Sequence, residues 1–292
     1  MKILVIGGGG MLGHKLVQKW RGRYDVWTTI RGSFQEYERY GIFEKEKTFE
    51  NIEVENFSAV ESVTAEVRPQ VIVNAVGIIK QLPTAKNVIK TLQINAIFPH
   101  QLAELAEKYE ARLITVGTDC VFDGKKGNYT EEDFPSATDL YGKSKNLGEV
   151  TGANCLTLRT SIIGRELKTA HSLVEWFLSN EGKEGKTVKG FTNAIYTGFP
   201  TVIFAEILAR LIEDFPDLNG LYQVSSEPIN KFELLKLIRD AYRADIEIEP
   251  FDDFKIDRSL DSSKFKAATN FEFPDWRTMI RKMAEDNAVY QK

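Results

Sequence analysis

Tyr141 and Lys145 stand four residues apart in DLYGKSKNLGE at 139–149. On a helix, that spacing puts both side chains on one face. A free phenol titrates near pH 10, and a nearby ammonium favours its ionised form. A tyrosine so paired can hand a proton to a carbonyl oxygen. With ten tyrosines in the chain, about one such pair is expected by chance, so its meaning depends on what positions it.

The first element that could position it is at the N-terminus. Lys2 to Ile6 is a short apolar run that reads as a buried strand. GGGGMLGHKLVQKW follows, with Gly7, Gly10 and Gly13 spaced G-x-x-G-x-x-G and Met11, Leu12, Leu16, Val17 and Trp20 at helical period. Strand, glycine turn and helix in that order form a seat for a pyrophosphate, which needs bare backbone N–H groups at a helix N-terminus. The next strand, Asp25–Ile30, ends without the acid that would hold a ribose 2′-hydroxyl, the next acid being Glu36. Arg31 stands there instead and suits a 2′-phosphate, so NADP(H) is favoured, with NAD(H) as the alternative.

VIVNAV at 71–76 reads as a buried parallel strand ending in Asn74, Ala75 and Val76, small enough for a cofactor to lie against. A long helix is expected over 87–109. Arg112–Val116 is another apolar strand, and Thr118 lies just past its end, 23 residues before Tyr141. Alternating strands and helices predict an α/β fold, a Rossmann-type doubly wound parallel sheet whose ligands bind at the carboxyl ends of the strands. A threonine hydroxyl there can hold the carbonyl that Tyr141 protonates while a nicotinamide delivers hydride.

From about residue 165 the rhythm changes. Helices are expected over 170–178, 201–213, 231–241 and 274–284, with a strand at 221–225. This divides the chain into a dinucleotide-binding domain at 1–165 and a smaller, mainly substrate-binding lobe at 166–292, some of whose segments return to the core.

Composition narrows the function classes. The 292 residues are 42% hydrophobic and 27% charged, as in ordinary globular domains. A net charge of −4 gives no basic excess for nucleic acid. No apolar run approaches the roughly 20 residues that span a membrane. Two cysteines and no signal-like start fit a cytoplasmic protein. His14, His100 and His171 show no metal spacing and read as surface or helix residues. The run Glu131-Glu132-Asp133 reads as a solvated loop rather than a metal site.

The glycine turn, Asn74-Ala75, Thr118 and Tyr141-x-x-x-Lys145 together resemble the extended short-chain dehydrogenase/reductase superfamily. TDCVFDGKKGNYTEED at 118–133, YGKSKNLGE at 141–149, LRTSIIG at 158–164 and GFPT at 198–201 look like its nucleotide-sugar 4-keto reductases. The resemblance runs nearly end to end. It implies Thr118, Tyr141 and Lys145 as catalytic residues, with Tyr141 and Lys145 also on the cofactor and Glu53 near the adenine. It implies a nucleotide-diphosphate 4-keto-6-deoxyhexose as substrate, bordered by Asp119 and Cys120, with Arg258 on the diphosphate. Lys80 and Trp176 are candidates for the sugar pocket, although Trp176 also reads as core beside Leu173 and Phe177. Cys120 stands where relatives carry an aromatic, and IIKQLPTAKN (78–87) and IIGRELKTAHSLVEWF (162–177) depart from the dTDP-rhamnose pattern, so a UDP-linked N-acetylated sugar is as consistent as a dTDP sugar. The expected activity is NADPH-dependent 4-keto reduction in deoxysugar or surface-polysaccharide synthesis. Three further expectations stay open: an epimerase or epimerase/reductase with tightly held NAD(P), a non-catalytic regulatory subunit, and a homodimer through a four-helix contact.

Overall fold

The computed structural model of the chain describes residues 1–80, 82–182 and 187–291. Strands β1 (Lys2–Ile6), β2 (Asp25–Thr29), β3 (Thr48–Phe49), β4 (Val71–Asn74), β5 (Arg112–Val116) and β6 (Cys155–Arg159) join the strand Gly220–Gln223 in one sheet. All pairings are parallel, and the order is Gly220–Gln223, β6, β5, β4, β1, β2, β3. The chain winds outward from β1 in one direction and from β4 in the other, so the switch point lies between those two strands. Register aligns Ile6 with Asn74 and Asn74 with Thr115, which brings Gly7, Ala75 and the residues after β5 to one edge.

Period-2 alternation divides the core. Ile3 and Val5 face one layer, with Leu16, Trp20, Phe204 and Leu208. Leu4 and Ile6 face the other, with Val60, Phe98 and Leu102. Helix α1 (Gly13–Trp20) and the helix Thr201–Asp214 share the first layer, where Trp20 Nε1 donates to the Ala205 carbonyl at 3.1 Å. The second contains the helical run Val88–Lys108, expected as one helix. It begins a residue later because the Asn87 side chain caps it, accepting from Lys90 N at 3.1 Å, and a π-turn at Gln93–Ile97 interrupts it.

The C-terminal third divides between sheet and lobe. The helix Thr201–Asp214 and the strand Gly220–Gln223 return to the sheet. The lobe is built on a three-stranded sheet, with Ala194–Tyr196 between Ile229–Asn230 and Ile256–Asp257, and on the pair Thr187–Phe191 and Glu247–Phe251. Its helices are Leu173–Leu178, Lys231–Tyr242 and Trp276–Glu285. The first of these corrects one reading of Trp176. Val174 and Phe177 lie one turn apart and are buried, whereas Trp176 falls off that face and is 43% exposed, so it is not core.

Candidate active site

Gly7, with φ of +93°, turns the chain out of β1 in a conformation that favours glycine. A Cβ at Gly13 would stand 2.1 Å from the Gly7 carbonyl oxygen, and one at Gly7 would stand 2.7 Å from Val76 Cγ2. The turn therefore packs against the end of β4, where the buried Asn74 side chain accepts from Val76 N at 3.1 Å. Gly10 N donates to the Gly7 carbonyl at 3.0 Å, and His14 N to the Gly10 carbonyl at 3.1 Å, so helical bonding begins at Gly10. Met11 is half-buried and Leu12 buried. A dinucleotide pyrophosphate fits a turn stripped of side chains at a helix N-terminus.

Arg31 is exposed just past β2, with no carboxylate partner among the described residues. The first acid after it, Glu36, bends back to accept from Ser33 N at 3.0 Å and pairs with Lys168. Glu53 is exposed in the loop between β3 and the helix Phe57–Val67.

Thr118 and Asp119 lie buried immediately past β5, and Thr118 Oγ1 accepts from Cys120 N at 3.1 Å. Tyr141 and Lys145 lie on the helix Leu140–Leu147, which Asp139 caps by accepting from Gly142 N at 2.8 Å. A second bond orients the same carboxylate, since Lys80 Nζ donates to it at 2.6 Å while lying 5.5 Å from the centre of the Tyr141 ring. Asn95 ties the Lys80 loop to this helix. Its side chain accepts from Ile78 N (2.8 Å) and donates to the Ile78 carbonyl (3.0 Å) and Ser144 Oγ (3.3 Å). Thr118, Tyr141, Lys80 and Cys120 are thus brought together.

The electrostatics follow from burial. Desolvation raises the Tyr141 phenol above its ordinary value, and the Thr118 hydroxyl acts against that rise. This differs from the expectation that Lys145 lowers the phenol. Lys145 Nζ instead donates to the Val116 carbonyl at 2.9 Å, and burial lowers its pKa to about 8 against the raising influence of Glu149. Burial pushes the Cys120 thiol up to about 12, so it stays protonated at neutral pH, which disfavours a nucleophilic role. Burial also raises the Asp119 carboxyl.

The loop after Thr118 docks onto the lobe. Tyr129 N donates to the Ser259 carbonyl at 2.9 Å, and Asp257 N to the Gly124 carbonyl at 2.8 Å. Phe122 and Tyr129 stack at 4.1 Å. Arg258 Nε donates to the Phe122 carbonyl at 2.8 Å, so this arginine is fixed beside the Asp119 turn and pairs with neither Asp257 nor Asp261. Among the described residues, Trp176 makes no side-chain hydrogen bond or ring contact with this group. Glu131 accepts from Gln223 N at 2.7 Å and Asp133 binds Lys126, which gives the acidic run structural partners.

Three features escaped sequence reasoning. Lys231 opens the helix Lys231–Tyr242 within electrostatic reach of Asp119, Cys120 and Arg258, and burial lowers its pKa. Tyr196 is buried near Asp119 and Cys120, with the Ser161 side chain beside its hydroxyl. Glu149 and Arg159 form a buried two-bond pair at 2.7 and 2.8 Å behind Lys145. Lys231 alone left a local signal, a cation in the first helical turn, where the dipole disfavours it.

A parallel sheet that brings a glycine turn and a buried tyrosine to one edge is the plan of the extended short-chain dehydrogenases/reductases, and this chain follows it. Within that class it belongs to the family described as the RmlD substrate binding domain, whose pattern matches residues 1–289. A dTDP-4-dehydrorhamnose reductase of Aggregatibacter actinomycetemcomitans is 26% identical over 237 residues, covering 78% of this chain and 74% of its own. The methionine adenosyltransferase 2 subunit beta of Mus musculus is also 26% identical, over 82% of this chain and 72% of its own. A hypothetical dTDP-4-dehydrorhamnose reductase structure from Sulfolobus tokodaii superposes with TM-score 0.76 at 27% identity, over 94% and 98% of the two chains. The same fold recurs in a Bacillus anthracis dTDP-4-dehydrorhamnose reductase in complex with NADP (TM-score 0.77, 23% identity, 97% and 98% covered). It recurs again in the Bordetella bronchiseptica enzyme WbmG in complex with NAD (TM-score 0.78, 18% identity, 99% and 95% covered).

Proposed function

We propose that this chain reduces the 4-keto group of a nucleotide-linked 4-keto-6-deoxyhexose, with NADPH as reductant. The observation that carries this reading is Tyr141, held between Thr118 and Lys80 at the sheet edge that also carries the glycine turn. A nicotinamide cofactor held by the glycine turn and the end of β4 would supply the hydride that the carbonyl carbon takes up. Tyr141 gives its proton to the carbonyl oxygen, which Thr118 holds in line, and the product is an alcohol. Lys145 remains largely protonated below a pH of about 8 and lies one turn along the same helix, placed to favour the phenolate left behind. Gly7, Gly10, Gly13, Asn74, Ala75 and Val76 form the cofactor's bed, and exposed Arg31 supports NADP(H) over NAD(H).

Replacing Tyr141 with Phe removes the proton and little volume. Turnover is expected to fall by a factor of at least about 10²–10⁴, with NADPH affinity and melting temperature retained. Turnover within tenfold of the native chain would sink the assignment.

The methionine adenosyltransferase 2 subunit beta relatives support a second reading, a subunit that keeps the fold for assembly. A chain that binds NADPH but turns over no 4-keto sugar, and holds a stable protein partner, would favour that reading. Nucleotide retained through dialysis would favour the epimerase.

A further inference from the structure

Tyr290 reaches the glycine turn through one side chain. The turn Asp286–Gln291 closes over helix α1, where Asp286 pairs with Lys15 and accepts from Gln18 Nε2 at 3.1 Å. Asn287 accepts from Arg165, whose guanidinium lies 4.9 Å from the centre of the Tyr290 ring. Tyr290 is held there edge-on to His14, with ring centres 5.6 Å apart and its hydroxyl 2.7 Å from Nε2. The other ring nitrogen, Nδ1, lies 2.8 Å from the Gly10 carbonyl oxygen.

A carbonyl only accepts, so Nδ1 carries the proton. Burial keeps the imidazole neutral, which leaves Nε2 as an acceptor, and the Tyr290 hydroxyl donates to it. The bonds therefore run in one direction, from the Tyr290 hydroxyl through the imidazole to the Gly10 carbonyl. The other tautomer would set a lone pair of Nδ1 against that oxygen. Tyr290 thus selects the tautomer that grips Gly10.

The gripped peptide unit is the one that faces a cofactor. In a trans peptide the C=O and the N–H of one unit point in opposite directions. The Gly10 carbonyl also takes the first helical bond, from His14 N at 3.1 Å, so it points along α1 and the Met11 N–H points out of the helix N-terminus. That N–H meets no acceptor among the described residues. It is one of the donors that a pyrophosphate on this turn requires. Gly10 does little to hold the unit by itself. A Cβ there would meet nothing closer than 3.4 Å, so neither the glycine nor its surroundings lock the plane.

We propose that Tyr290 is a positioning residue for the dinucleotide: through His14 it fixes the Gly10–Met11 peptide unit, so that closure of the 286–291 turn and cofactor binding are coupled. The inference rests on the cofactor reading above and adds to it a residue from outside the glycine turn.

The test is fluorescence titration of NADPH and of NADH into the native chain and into Tyr290→Phe, which keeps the ring and deletes the hydroxyl. Both cofactors bind the variant about threefold to tenfold more weakly, the worth of one oriented hydrogen bond. The factor is the same for both, because they share the pyrophosphate and differ only at the 2′-phosphate. Asp275→Ala removes the cap of the helix Trp276–Glu285, which lowers the melting temperature without touching the glycine turn, and its cofactor affinities stay native. Native-like affinities in Tyr290→Phe overturn the inference, as does an equal weakening in Asp275→Ala, which would make the effect one of general stability. Coupling is reciprocal, so NADPH also slows amide hydrogen exchange across 286–291 in the native chain. Unchanged exchange there overturns the inference even where Tyr290→Phe fails to fold. If the native chain binds neither cofactor, the cofactor reading itself fails, and the inference fails with it.

Discussion

Lys145 holds its charge in a place that resists charge. It is 7% exposed, and burial brings its pKa down to about 8. Glu149, one turn further on, is the acid that opposes this shift, and Arg159 fixes its carboxylate. In Glu149→Gln the support is gone, so the Lys145 pKa falls further. The alkaline limb of the pH–rate profile then moves to lower pH. The variant also loses about 3–5 kcal/mol of stability, because Arg159 is left buried without a counter-ion. A pH–rate profile with an unmoved limb would show that Lys145 does not set it. At this scale the sequence is informative where chemistry is local. The placement of Tyr141 and Lys145 on one helix, and of Thr118 just past a strand, was legible from spacing and strand ends. Arg159 and Glu149 were not, because the partner of each lies ten residues away and the pairing depends on how β6 packs beside the helix.

At the scale of elements, the glycine turn is the most constrained piece of chain. Gly13→Ala would put a Cβ 2.1 Å from the Gly7 carbonyl oxygen, a backbone atom that cannot rotate away. The expected cost is about 1–3 kcal/mol of stability, with a larger loss of NADPH affinity as the turn is pushed open. Chemical denaturation and fluorescence titration of NADPH together check this, and native-like affinity in the variant would contradict the placement of the cofactor. Strands β1 and β5 and the glycine turn fell where the apolar runs predicted. The π-turn within 88–108 did not, since helical periodicity carries no mark of one wider turn.

Across the whole molecule, the last residues close back on the first helix. His14 is fully buried, with Nδ1 at 2.8 Å from the Gly10 carbonyl oxygen and Nε2 at 2.7 Å from the Tyr290 hydroxyl, and Lys15 pairs with Asp286. Burial and the neighbouring Lys15 lower the His14 pKa to about 3. Its folded pKa therefore lies below the unfolded value of about 6.5, so the folded chain resists protonation. Its contribution is intact above pH 6.5 and is lost as pH falls from there towards about 3, by up to about 1.4 kcal/mol per unit. Urea midpoints at pH 7 and 5.5 are expected to differ more in the native chain than in His14→Gln, and equal differences would remove His14 as the cause. This closure joins residues some 270 positions apart, beyond the reach of any local pattern. His14 could be placed on a helix from sequence, but not in the core.

The central claim is hydride transfer to a 4-keto sugar by the Tyr141 site. It is tested most directly by offering the native chain NADPH with enzymatically generated dTDP- and UDP-linked 4-keto-6-deoxy sugars, side by side, and following cofactor absorbance. Stoichiometric oxidation of NADPH with one of the two sugars is the expected result, and it would identify the nucleotide at once. NADPH that binds but survives both sugars unchanged would contradict the reductase.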